Sequence, residues 1–185
     1  MKLIQSRRFA AGVLAVCAVG SVFGFGGAHL AGERKNAMKV FEEGSDTSFA
    51  VRMSVDAYLE NSANYAREMA EEYRLRVGAA WDGQAKIADE AEKILSGEPG
   101  QRLNDYRALV ADVESLYTDF HAAVTDEDAS RDFDRAYKNF KSEHNKIQYD
   151  EYHSLARDYN SEASGFPAGA VAGLWNLSEL DPFDP

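Results

Sequence analysis

Residues 157–183, RDYNSEASGFPAGAVAGLWNLSELDPF, decide how the chain is read. A helical pattern closes at Gly165, and Phe166-Pro167 follows it. A run of small residues from Ala168 to Gly173 then leads into Leu174-Trp175. Left in water, apolar anchors such as Phe166, Leu174, Trp175 and Phe183 would forfeit about 25 cal/mol for each Å² of surface not buried. The stretch is therefore predicted to fold back along the helices before it, or to meet a membrane interface, where Trp is favoured.

Upstream the pattern is helical throughout. Val55, Leu59, Ala66, Met69, Tyr73 and Val77 recur at three- and four-residue steps, which predicts a helix over 49–77. Gly78 breaks it. Ile87, Ala88, Ala91, Ile94 and Leu95 make the apolar stripe of a helix over 82–95, ended by Ser96-Gly97-Glu98-Pro99-Gly100. Leu103, Tyr106, Val110, Val113, Leu116 or Tyr117, and Phe120 give a third helix over 101–124. Thr125-Asp126-Glu127-Asp128 is a cap followed by first-turn acids. It opens one long helix over 126–164 with the stripe Phe133, Tyr137, Phe140, His144, Ile147, Leu155 and Tyr159, a register that Glu151 and Tyr152 interrupt. No stretch alternates with period two, so no sheet is expected.

The opposite end of the chain is apolar. Residues 1–8 are short and basic, and Phe9 to Gly32 holds 24 residues without a formal charge, His29 taken as neutral. At about 1.5 Å per residue this is long enough to cross a bilayer. Phe9, Val13, Leu14, Val16, Val19, Val22, Phe23 and Phe25 are the candidate lipid-facing residues. An uncleaved anchor uses the whole run; a signal peptide would exit at Gly26-Gly27-Ala28. Lys2, Arg7 and Arg8 before the span oppose Arg34, Lys35 and Lys39 after it. The positive-inside rule with the N-terminal amine places the start inside and the body outside. Helix is expected to continue over 33–43 before the turn Gly44-Ser45-Asp46-Thr47-Ser48.

Lys and Arg total 20 and Asp and Glu total 31, a net charge of −11, and no acid lies before residue 33. An acidic body argues against nucleic acid as a partner, since phosphate contacts need clustered Lys and Arg. Cys17 is the only cysteine, which excludes an internal disulfide and a cysteine-based zinc site. Val16 before it and the apolar run beyond it reject a lipidation box.

Motifs for chemistry are weak. Asp150-x-x-His153 is one turn of a metal-binding pair, but a bundle di-iron site needs two Glu-x-x-His pairs and two further Glu. His144 reads as a core histidine and His121 as a helix-end cation. Phosphate loops, His-Glu-x-x-His and the Ser elbow do not occur. A classical enzyme is not expected, and no cofactor or metal is assigned.

The residues Phe133, Tyr137, Ser142-Glu143-His144-Asn145-Lys146-Ile147, Tyr152, Asp158-Tyr159-Asn160, Phe166-Pro167, Val171-Ala172-Gly173, Trp175 and Phe183 carry a resemblance to the LemA family of bacterial membrane-associated proteins. It covers about residues 130–183; the first half departs from the family pattern, with Ala80-Trp81 too late in the chain. The resemblance implies a LemA-like four-helix bundle and no catalytic residues. Glu143, Asn145, Ile147, Tyr159, Asn160, Phe166, Pro167, Gly173 and Trp175 are its structural motif positions.

The expected protein is thus all-α, an N-terminal transmembrane helix followed by an antiparallel bundle of long helices. Its parts are a basic start (1–8), an anchor or signal peptide (9–32), a juxtamembrane helix and turn (33–48), a bundle (49–165) and a packed segment (166–185). The expected function is a non-enzymatic scaffold or adaptor in the bacterial cell membrane, binding an unidentified protein or further copies of itself. The alternatives are an extracytoplasmic ligand-binding or sensor bundle, with a pocket lined by Tyr137, Phe140 and Tyr159 and secreted if the start is cleaved, and a metal-dependent enzyme.

Overall fold

A computed structural model describes residues 7–47, 50–51, 53–78, 82–97 and 99–183. Expectations resting on Lys2, Ser48, Phe49, Ala80, Trp81 and Glu98 lie outside the described residues. Seven α-helices account for nearly all of the described chain: α1 Arg7–Glu43, α2 Val55–Arg76, α3 Asp82–Ser96, α4 Pro99–Ala123, α5 Glu127–Gln148, α6 Glu151–Ser164 and α7 Ala168–Leu174. The chain divides into two compact units, Met1–Met38 with Ser154–Pro182 and Lys39–His153 with Phe183–Pro185.

The second unit is a helical bundle. In it α2 packs against α3, α4 and α5, and α3 against α4. Leu59, Met69, Ile87, Ile94, Leu103, Leu109, Phe120, Phe133 and Phe140 are fully buried there. Aromatic pairs join α4 to α5: Phe120 and Phe133 stack at 3.8 Å, and Tyr117 and Tyr137 at 3.9 Å. Arg102, almost buried, ion-pairs with Asp56 and donates to the Gly97 carbonyl at 2.8 Å. It thereby ties the start of α4 to α2 and to the preceding turn.

Local chemistry sets the helix ends. The Ser54 hydroxyl accepts from the Ala57 amide, so α2 opens at Val55 instead of near residue 49. The segment before it holds a two-residue antiparallel ladder, Asp46 with Val51 and Thr47 with Ala50. A ladder this short leaves no alternation to read, and the all-α class holds. Gly44 at φ 83° and Gly78 at φ 100° follow α1 and α2 in the left-handed conformation that side chains disfavour.

The long helix expected over 126–164 is two helices. Asp150 accepts from the Tyr152 amide and starts α6, while Tyr149 closes α5 with its amide on the Asn145 carbonyl. His153 clasps the break: its Nε2 donates to the Ile147 carbonyl at 2.6 Å, and its Nδ1 accepts the Phe183 amide at 3.0 Å. The stripe of α5 also differs from the expected one. Ala136 and Glu143 lie at its centre, and Tyr137 and His144 sit half-buried at its edge. Val77, which caps α2, is exposed; on α3, Ala88 is exposed; on α4, Leu109 takes the deep position expected of Val110.

Phe183 belongs to this core. Its ring lies 5.9 Å from those of Tyr106 and His144, with the Arg107 guanidinium 5.4 Å from its centre. Phe183→Ala is expected to lower the unfolding free energy by about 3 kcal/mol, as large-to-small core changes do; urea unfolding followed by circular dichroism measures it.

Candidate functional site

α1 changes its surroundings along its length. From Phe9 to Val22 every side chain is exposed, and Leu14, Val16 and Phe25 show 71%, 72% and 79% of their surface. Phe9, Val13, Val19 and Val22 are also largely open, and Phe23 is half-buried. Cys17 is exposed. A core helix of this apolarity would be covered; none of the most apolar window is. Further along, Leu30, Ala37 and Phe41 are buried.

Between these halves the carboxy-terminal stretch clamps α1 within the first unit. α6 ends in the turn at Gly165–Pro167, and α7 then lays Val171 against Gly26. Trp175 lies so close over Gly27 that a Cβ there would collide with the indole, and its Nε1 donates to the Phe23 carbonyl at 3.0 Å. His29 meets Glu162 at 3.0 Å. Arg34 donates from Nε to the Ser178 carbonyl and from a terminal nitrogen to the Ser178 hydroxyl, both at 3.1 Å.

Most of the motif positions serve this clamp or the helix break. The Tyr159 hydroxyl donates to the Ser178 carbonyl at 3.2 Å. Asn160 binds Leu180 from both sides, Nδ2 to its carbonyl at 2.6 Å and Oδ1 from its amide at 2.9 Å. Phe166 and Pro167 form the exposed turn, joined by a cis peptide bond. The Gly173 carbonyl accepts the Asn176 amide, and Asn176 at φ 53° ends α7 with the Leu177 amide on the Ala172 carbonyl. Ile147 is buried in the second unit, Glu143 pairs there with Lys146 at 2.6 Å, and the Asn145 carbonyl ends α5.

Several polar groups of the second unit are engaged with one another. The Tyr106 hydroxyl is 3.1 Å from His144 Nδ1. Burial, with Lys141 nearby, holds His144 below the usual imidazole range despite Glu114. Burial pushes the Glu114 carboxyl up, but hydrogen bonds from Lys141 and Tyr137 outweigh it and leave it below the usual range. Tyr137 is in turn pushed up to about 12 by burial and that carboxylate. Of the aromatics expected to line a pocket, Phe140 is fully packed, Tyr137 is bonded to Glu114, and Tyr159 is part of the clamp. An open groove of about 600 Å³ near the α4–α5 turn is lined by His121, Ser130, Asp134 and Lys138 among others. There Asp134 accepts from Ser130 at 3.0 Å and pairs with His121 at 2.9 Å. The aspartate stands between serine and histidine, so the histidine is not placed to take the serine proton.

His153 has its Nε2 proton on one carbonyl and its Nδ1 lone pair on an amide, which leaves no lone pair for a metal. Among the described residues no group of three or more His, Cys, Asp and Glu side chains is placed to hold a metal ion.

Glu90 is a buried carboxyl that sequence reasoning missed; Lys86 four residues earlier disguises it as a surface ion pair. Lys86 lies 2.7 Å from Asp112 and 3.6 Å from Glu90. Burial, reinforced by Asp112 and opposed by Lys86, pushes Glu90 up to about 7.

No family model, curated protein or solved structure matches the chain.

Two outcomes are expected. Because the folded-state value of Glu90 is raised, its contribution is intact below the ordinary carboxylate value of 4.5 and is lost as pH rises through about 7. Glu90→Gln should therefore stabilise the protein by about 1–2 kcal/mol near pH ~8 and by almost nothing near pH ~4, read as melting temperatures of the pair across pH. Gly27→Ala should expel the Trp175 indole and red-shift Trp fluorescence, while the spectrum of Gly32→Ala, whose added Cβ meets nothing, stays at the parent value.

Proposed function

We propose that the chain is a single-span, membrane-anchored helical scaffold of the LemA type, whose acidic body contacts a protein partner through a face of its bundle. One observation carries this reading. The uncovered apolar half of α1 continues as one helix into residues buried in the fold. A helix apolar on every side finds a favourable solvent in lipid, where its backbone groups are already paired.

The clamp supports an anchor over a cleaved signal. Cleavage after Ala28 would remove the Phe23 carbonyl and the two glycines, and so strip Val171 and Trp175 of their seats. Lys and Arg are even in number on the two sides of the span, so an extracytoplasmic body is read only from the added N-terminal amine. A role in the cell envelope, and no chemical reaction, follow from the resemblance over residues 130–183. The net charge of −11 suits a basic or mixed protein surface as partner.

Intact mass of the protein extracted from carbonate-washed membranes tests the anchor. A mass that retains the apolar half of α1 is expected; a soluble product beginning near His29 would overturn it. Crosslinking in native membranes followed by copurification is expected to return a protein partner joined through the α2–α5 body.

A further inference from the structure

The exposed part of α1 is too short for the task assigned to it. Phe9 to Val22 is fourteen residues, about 21 Å of helix, whereas a hydrocarbon core is about 30 Å thick. Roughly twenty residues are needed, which carries the span to about Ala28. That level of α1 is the one covered by α7, through Val171 on Gly26 and Trp175 on Gly27 and the Phe23 carbonyl. If α1 spans, α7 is at membrane depth with it.

The chemistry of the segment agrees. Gly165 to Leu177 is thirteen residues with no Asp, Glu, Lys, Arg or His. Its large apolar side chains are turned outward: Phe166 is 95% exposed and Leu174 70%. The direction of the turn also fits. Tyr159 meets Ser178, which binds Arg34, and Glu162 meets His29, so α6 descends α1 toward its apolar half. The nearest charges on the two strands of this turn, Glu162 and Glu179, lie back toward Arg34.

We propose that Gly165–Leu177 is a second membrane-embedded element, a wedge in the outer part of the bilayer that packs on the span and presents Phe166, Leu174 and the open edge of Trp175 to lipid. It rests on the reading of α1 as a span. Interfacial depth suits each part: the indole is favoured there, and α7 keeps its backbone bonded internally. Gly26 and Gly27 permit the close contact that lets two elements share one passage through the headgroup region.

The test uses the full chain in phosphatidylcholine vesicles that contain a nitroxide-bearing lipid, labelled either near the headgroup or midway along the acyl chain. An environment-sensitive fluorophore is attached in turn at native Cys17, at Phe166→Cys with Cys17→Ala, and at Ser142→Cys with Cys17→Ala. Phe166 and Ser142 are exposed, so neither substitution removes packing. The expected result is quenching of the label on Cys17 by the mid-chain nitroxide, blue-shifted emission at position 166 quenched by the headgroup-proximal nitroxide, and no quenching at position 142. If position 166 behaves like position 142 while Cys17 is quenched, α7 faces water and the wedge is overturned while the anchor stands. If Cys17 also escapes quenching, the anchor fails and the wedge with it.

Discussion

The contact between Trp175 and Gly27 is the constraint on which the first unit depends. A helix apolar on all sides has no preferred face, so nothing in its own pattern decides where a partner lands. Glycine decides it by omission, since only a position without Cβ lets the indole lie on the backbone. The indole N–H then reaches the Phe23 carbonyl, and Val171, Glu162 and Ser178 fall into place along the same helix. Individually these contacts are small. Exposed pairs such as His29 with Glu162 contribute about 0–1 kcal/mol, and an ordinary hydrogen bond about 1 kcal/mol net. Their weight comes from acting in register on one rigid element.

The second unit is held differently. Its stability resides in full burial of aliphatic and aromatic side chains, with polar groups inserted only where they find partners, as in Tyr106 with His144 and Glu114 with Tyr137 and Lys141. Glu90 and Glu143 depart from this, each with a buried Oε2 that has no hydrogen-bond partner; Glu90 lies beside another carboxyl and is kept tolerable by Lys86 and by its tendency to hold a proton. Such a group lowers stability at neutral pH. The fold carries it without an assigned chemical role.

Much of this was legible in the sequence, and the omissions have physical causes. The all-α class, most helix limits and the apolar span follow from period and charge, which are local properties. The anchors Phe166, Leu174, Trp175 and Phe183 suggested a fold-back by burial, but only Phe183 is buried and the other three stay exposed; the partner of Trp175 was not legible either, because Phe23 and Trp175 are 152 positions apart and Gly27 looked like a signal-peptide exit. On α5 the large side chains Tyr137 and His144 drew attention away from Ala136 and Glu143. A small residue and a paired acid can occupy the centre of a packed face when larger neighbours shield them from either side. The break at Tyr149–Asp150 left a trace in the disturbed register at Glu151 and Tyr152, yet the histidine that closes it acts through Phe183, 30 positions away.

The proposed anchor makes a direct demand on the single cysteine, which lies eight residues beyond Phe9 on the uncovered half. The decisive measurement is the reactivity of Cys17 in intact membranes toward a charged, membrane-impermeant maleimide, before and after denaturation in SDS. The account predicts no labelling until the bilayer is dissolved and full labelling afterwards. Rapid labelling in intact membranes, with the chain still uncleaved, would place that half of α1 in water and contradict it.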